Sequence, residues 1–540
     1  MSAAKFDVVI VGSGPSGVQA AVTAVRRGLE VALVDVGHQD DHHESTIPDK
    51  PFSEIRQSEP EQQRYFLGES FEEHLRDTQR VGAQLTPSRR FIVRDTEQYV
   101  PLEGNGFEPL QSLALGGLGA GWGAGCASYE DFELERAGLP SARMRQYYEE
   151  VARDIGVSGA SDDDVSPHVS NIEALQEPLE IDSNAESLLM TYEDKRKVLQ
   201  EKGFKLGRPP LAVLSQALGE RQANPYHDMD FYSDHRESVY RPRYTLRELQ
   251  EEPNFTYLSS LLVDRFAETD GATIHALNLT TGQPTRVQGR RLLLAAGAIN
   301  SARIVLKSLE QYDVRVPILC NSYTYLPALN LRMLGRSARD RRHSLVQLTG
   351  IFFPREQPED QVVVQFYSYR SLLLFRLVKE MPLPPALALA LARLMVTSFF
   401  VVGINHPDRP SSQRYLELRK GPSSKDMLFA HSEHSSDEIS VQRRRERRIS
   451  RLLFSLGCVP LRFVRLLTGA SIHYVGTLPF SDEEKPLTCS PDGRIRGTRF
   501  VHAADGSPWR FLPAKGLTFS LMANARRVAD GVADELQGAH

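Results

Sequence analysis

Phe6-Asp7-Val8-Val9-Ile10-Val11-Gly12-Ser13-Gly14-Pro15-Ser16-Gly17 is the stretch whose reading decides the fold. Its apolar half reads as a buried parallel strand, and its glycine half opens a helical stretch from Val18 to Arg27. In that setting Gly12 permits a tight turn, Gly14 lets backbone approach a pyrophosphate, and Gly17 lets helix and strand pack closely. Ser16 falls where the helix N-terminus turns its N–H groups toward phosphate. A second strand, Glu30 to Val34, ends in Asp35, whose carboxylate is placed for ribose hydroxyls and disfavours a 2′-phosphate. A chance glycine turn does not explain strand, glycines, helix, strand and acid in that order. The turn fits an ADP moiety, which NAD and FAD share.

At 540 residues the chain is longer than a single hydrophobic core supports, so two domains are expected, with segments interleaved in sequence. Hydrophobic residues at 41%, charged residues at 25% and a net charge of -5 carry no bias toward nucleic acid. Cys126, Cys320, Cys458 and Cys489 are far apart and lack zinc or dithiol spacing, so reduced structural thiols are expected. The first strand begins by residue 6, which leaves no space for a signal peptide ahead of it; a cytoplasmic location is expected.

A polar excursion runs from His38 to Arg64, of the kind that often covers an active site. Gly116, Gly117, Gly119, Gly121, Gly123 and Gly125 then punctuate a loop whose other residues are Leu, Ala and Trp122. Flexible linkers pair Gly with Ser, so close passage against a flat ligand is the better reading. Strands are expected at Phe255 to Leu258, Leu261 to Val263, Thr273 to Leu279 and Arg290 to Leu294. The last leads through Ala295, Ala296 and Gly297 into a helix at Ile304 to Leu309, returning the chain to its first domain.

Residues 315 to 460 mix β-rich runs such as Val362 to Tyr369 with apolar stretches and read as a substrate domain built on a sheet. Two apolar segments stand out, Ser371 to Lys379 and Pro382 to Val402; Arg393 is the one charge in the second. Arg393 and the Pro384-Pro385 pair argue against a membrane span. Core burial is expected, with a peripheral membrane contact through 371–402 as the less favoured alternative. The basic run Arg443 to Arg448 is expected to be a solvated helix face.

Near the C-terminus stand His473-Tyr474-Val475-Gly476-Thr477, then His502-Ala503-Ala504-Asp505-Gly506-Ser507 and Leu512-Pro513-Ala514-Lys515-Gly516-Leu517-Thr518-Phe519. With the opening turn, the Gly116 to Gly125 loop and Leu294 to Ser301, these segments resemble the glucose-methanol-choline (GMC) oxidoreductases, FAD enzymes that oxidise alcohols. The resemblance covers roughly 5 to 35, 111 to 130, 290 to 308 and 468 to 532. It implies an α/β fold in which a Rossmann-like FAD-binding domain (1–135, 250–312 and 468–540) is joined to a β-sheet-based α+β substrate domain (136–249 and 313–467). It implies FAD held by Gly12, Gly14, Ser16, Gly17, Asp35, Gly116, Gly117, Gly121, Trp122, Val263, Ala296, Gly297, Asp505, Gly506, Gly516, Leu517 and Thr518. A second glycine-and-acid motif at the far terminus suits FAD, which is longer than the ADP half the first turn holds.

The resemblance makes His473 the base that removes the alcohol proton while flavin N5 accepts the hydride; neutral imidazole suits that task. Family members usually carry Asn or His where this chain has Gly516. Lys515 beside it is read as a substitute donor to substrate oxygen or to the flavin edge, or as a solvated lysine. Thr518 is expected to cap the last helix, Thr518 to Leu536, and aim its dipole at the flavin. The expected function is oxidation of an alcohol of a sugar or specialised metabolite to a carbonyl, with oxygen, a quinone or a carrier protein as electron acceptor. Alternatives are a flavin-bound non-oxidative lyase or cyclase, and a flavin-binding partner protein without catalysis.

Overall fold

The computed structural model describes residues 6–40, 42–69, 85–336, 340–368, 381–421 and 426–538. Phe6–Val11 forms the central strand of a parallel layer, between Val31–Val34 on one side and Pro284–Leu294 on the other. Phe255–Leu258 extends the layer beyond Val31–Val34, and Val501–Ala503 adds to the far side of Pro284–Leu294, all in parallel. Where they pair in parallel, Val8–Val11, Val31–Val34 and Leu292–Leu294 are apolar and buried because both faces are covered, as parallel sheets require. The early half of Pro284–Leu294 turns instead into an antiparallel meander with Ala272–Asn278 and Leu261–Glu268.

One face packs against the helix Pro15–Arg26 and the C-terminal helix Thr518–Gln537; Val18, Ala21, Ala525 and Val528 are buried between them and the sheet. Arg27 ties the two helices by reaching Asp530 and, at 2.7 Å, Asp534. The chain's last helix thus completes the layer begun by its first strand. This is the Rossmann-like α/β arrangement expected from the opening turn.

A second, antiparallel sheet runs in the order Cys458–Pro460, Tyr323–Asn330, Phe399–Asn405, Val362–Ser368, Leu348–Phe352, Phe204–Gly207. Along Tyr323–Asn330 the side chains alternate in burial. Leu326 and Ala328 face a core with Ile449, Leu452 and Leu453 of the helix Ser436–Ser455. Tyr325 and Leu329 face the other way, with Phe399, Val401, Tyr367 and Met395. A period of two on a half-covered sheet produces this division.

Two expectations about the middle region need correction. The apolar stretch from Pro382 splits into a helix, Pro385–Met395, and the strand Phe399–Asn405; the strand is core, but Leu387 is 50% and Leu394 51% exposed. The segment Ser371 to Lys379 lies outside the described residues. The basic run is not uniformly solvated either: Arg445 is buried and bonded to Asp360 at 3.1 Å, while Arg448 pairs with Glu356 at the surface. All four cysteines are free and buried. Among the described residues no helix is long and apolar enough to cross a membrane.

Candidate active site

Gly12 has φ +102 and donates to Val34 O at 2.8 Å; a Cβ there would lie 2.6 Å from Ala295 O. Gly17 is tighter, since its Cβ would come 1.7 Å from Gly12 O, so the helix rests directly on the turn. Gly14 differs: the nearest atom to its missing side chain is Gly116 O at 3.9 Å. The protein itself leaves that space free. Gly14 is the N-cap of Pro15–Arg26 and offers no side-chain cap, leaving the first-turn N–H groups for an anion. Ser16 is buried in that first turn.

Ser13, absent from the sequence expectations, joins three elements. Its hydroxyl donates to Asp35 and accepts the Gly116 N–H at 2.9 Å, tying the glycine loop to the acid. Burial pushes the Asp35 carboxyl up to about 7, against the lowering effect of hydrogen bonds from Ser13 and the Val36 and Gly37 backbone. A buried acid held by neutral donors fits ribose hydroxyls better than it fits a cation. Val263 is two residues beyond Leu261, whose N–H bonds Asp35 O at 2.9 Å, so it belongs to the same corner.

Gly116 and Gly117 take φ +86 and +54, and Gly117 would set a Cβ 3.5 Å from Gly14 Cα. Gly121 abuts Ile92, and the Trp122 indole donates to Tyr240 O at 2.8 Å with its ring against Tyr240. Gly123, Gly125 and Gly297 have nothing within 4 Å of a built Cβ. Gly297 is exposed and Ala296 half-exposed although they end a central strand, so the backbone here borders open space. A cavity of about 440 Å³ opens beside the loop, between Leu115, Ala120, Asp40, Glu44, Arg241 and Arg243. Part of the polar excursion therefore walls a cleft next to the dinucleotide turn.

The carboxylate of Asp505 accepts from Ser301 Oγ at 2.5 Å and from Ser507 N and Oγ at 2.9 and 2.6 Å. The Gly297 N–H is a further donor. Its lone pairs are engaged within the protein, so Asp505 ties its own turn to Gly297 and Ser301. Gly506 O in turn accepts the Gly476 N–H at 2.9 Å.

Leu319–Cys320 pairs antiparallel with Tyr474–Val475, Cys320 opposite Tyr474, and the next step of the register sets Asn321 facing His473. His473 Nδ1 lies 2.8 Å from Asn321 Oδ1. The Asn321 amide nitrogen donates to His406 O at 2.8 Å and Pro513 O at 2.9 Å. Two carbonyl acceptors on one side fix which end of the amide is nitrogen, so Oδ1 must accept from His473. Nδ1 therefore carries the proton and Nε2 the lone pair. His473 is only half-buried, yet burial lowers its pKa to about 4, so the imidazole is neutral near pH 7. The preceding Ile472 has φ +62, an unusual conformation for a β-branched residue that turns the chain into His473.

Lys515 is not solvated. It is 1% exposed and lies 2.5 Å from Glu133 and 3.1 Å from Glu130. Burial pushes the Glu133 carboxyl up, with Lys515 opposing. At Glu130 burial is outweighed by the His168 hydrogen bond and the Lys515 charge, and the group falls to about 2. Lys515→Met would strand these carboxylates, a loss of about 3–5 kcal/mol. We expect a lower unfolding midpoint in denaturant; an equally stable variant with slowed flavin reduction would instead restore a substrate role.

Gly516 leaves room for a side chain, its Cβ meeting only Gly125 O at 3.6 Å. Thr518 is the first helical residue; Leu517 holds the N-cap position, and no side-chain cap is made, contrary to expectation. The segment is anchored through Pro513 to Asn321, which places Gly516, His473 and Gly125 around one region.

A family model described as an FAD binding domain matches residues 7–93. No curated protein sequence matches the chain. Among solved structures, the chain is similar to pyridoxine 4-oxidase from Mesorbium loti, at 13% identity and TM-score 0.58, covering 99% of each chain. It is similar as well to an R554A variant of formate oxidase from Aspergillus oryzae RIB40, studied for FAD modification, at 13% identity and TM-score 0.60, covering 100% of each. The chain has the fold of these two oxidases, and its FAD binding domain makes it a flavoprotein with FAD as cofactor.

Proposed function

We propose that the protein is a GMC-type FAD oxidoreductase that converts an alcohol to a carbonyl, with His473 as the base. The observation that carries this reading is the His473 imidazole locked at Nδ1 by Asn321, whose amide also holds the Pro513 segment leading to Gly516. Bound FAD supplies the hydride acceptor. The chain's own part is to orient the alcohol, exclude water and take its hydroxyl proton at Nε2, leaving Nδ1–H on Asn321 to steady the charged ring. Pyridoxine, named for one structural neighbour, is a reasonable first member of a panel of primary and secondary alcohols. Bleaching of the bound flavin by such alcohols without oxygen supports the reading, and a flavin that none of them bleaches counts against it.

The pH dependence is a sharper test. His473 works only when neutral, so kcat/KM is expected to be level above its pKa and to fall as pH drops through about 4. Asn321→Asp sets a carboxylate against Nδ1 and favours the protonated ring, moving the acid limb up by about 1–3 units. The variant should be impaired in mild acid and recover at higher pH; an unmoved limb would dissociate Asn321 from the base.

A further inference from the structure

The helix Pro385–Met395 is built inside out for a soluble surface. Ala388 and Ala392 face the protein and are fully buried, whereas Leu383, Leu387, Leu391 and Leu394 form an outward stripe, each 38% exposed or more. The stripe has neighbours. Gly335 donates to Leu394 O at 3.1 Å, bringing exposed Leu331 and Leu334 beside the end of the helix. Leu331 N in turn bonds Gly457 O at 3.3 Å, next to Phe454, which is 57% exposed. Isolated exposed leucines need no explanation, but a contiguous rim of them marks an interaction surface.

The three segments that form the rim carry charge of one sign, while the exposed acids Glu186 and Asp194 stand on the neighbouring helix Ser183–Asp194. Arg332, Arg336 and Arg462 are exposed, and residues 327–336, 381–395 and 457–468 contain no Asp or Glu, in a chain whose net charge is -5. A second copy of the chain would bring these arginines against their own kind. An anionic lipid surface would meet them with phosphate and carboxylate groups while the leucines enter the acyl boundary. Eleven residues of helix extend about 16 Å, half of a bilayer core, so the contact lies along the surface.

We propose that the Pro385–Met395 helix and its arginine-flanked rim dock the protein on anionic membranes. The inner end of the helix, Met395, packs with Phe399, Val401, Tyr325 and Tyr367 on the face of the sheet turned away from the Ser436–Ser455 helix. Docking therefore sets that tyrosine-bearing face toward the bilayer. The proposal stands apart from the redox reading, because binding is measured without turnover.

The test is co-sedimentation of the full-length, FAD-loaded protein with vesicles of phosphatidylserine mixed with phosphatidylcholine, and with phosphatidylcholine alone. Binding is expected to the mixed vesicles, to weaken with added salt, and to be at least about tenfold weaker in Leu387→Glu/Leu391→Glu/Leu394→Glu. Arg332→Gln/Arg336→Gln/Arg462→Gln should lower it roughly fivefold per arginine with flavin content unchanged. All six positions are exposed, so both variants are expected to fold. The proposal is overturned if the protein stays in the supernatant with mixed vesicles, or if the glutamate variant binds as well as the parent. A concentration-dependent dimer that the glutamate variant abolishes would assign the face to a second copy instead.

Discussion

Gly14→Val is expected to give a folded protein that holds FAD more weakly and loses yellow colour. A Cβ at Gly14 meets only Gly116 O, at 3.9 Å, and its backbone has an ordinary φ of -62, so the polypeptide has no quarrel with a side chain there. The space it fills is the approach to the first-turn N–H groups, where a pyrophosphate must come within hydrogen-bond distance of backbone. Two or three methyl-sized groups in that path cost about 1–3 kcal/mol, roughly 5- to 150-fold in FAD affinity. Gly17→Val is the contrasting variant. Its Cβ would lie 1.7 Å from Gly12 O, so the helix cannot remain on its strand and the fold itself should suffer. The ratio of visible to protein absorbance, read beside a thermal melt, separates the two cases. A Gly14→Val protein that melts like the parent and stays fully yellow would show that the cofactor does not pass over this turn.

Local chemistry explains which parts of the molecule are legible in the sequence. The dinucleotide turn is written in contiguous residues, each glycine answering a backbone demand within a few positions, and Phe6–Val11, Pro15–Arg26 and Val31–Val34 follow the expected order. The helix begins at Pro15 rather than Val18 because proline in the first turn forgoes a hydrogen bond it could not make anyway. Asn321 was invisible for the opposite reason. It lies 152 positions from His473, and only the pairing of Leu319–Cys320 with Tyr474–Val475 makes them neighbours. Nothing in Cys320-Asn321-Ser322 signals that register. The partners of Lys515 are hidden because they cannot be inferred from its flanks; Glu130 and Glu133 sit at the start of another helix, 385 and 382 residues away. The Pro385–Met395 helix differs again, since apolar content predicts burial, yet its inward side is made of Ala388, Ala392 and Met395 and leaves the leucines outside.

His473→Ala is expected to retain FAD and to lose about 10²- to 10⁴-fold in turnover, the usual worth of a positioned base. Retention follows from geometry: the recorded side-chain bond of His473 goes to Asn321, while the dinucleotide turn is held by Ser13, Asp35 and Gly116. The loss should appear in kcat and kcat/KM together, because proton removal belongs to the transition state and not to binding. Two further readouts distinguish a lost base from a disturbed pocket. The acid limb at about 4 belongs to the imidazole, so it should vanish from the residual activity of the variant. Asn321, with its amide nitrogen still held by His406 O and Pro513 O, should keep the surrounding loops in place and leave the unfolding midpoint little changed. A variant that turns over like the parent would remove His473 from the chemistry, and one that keeps the same acid limb would assign that limb to another group.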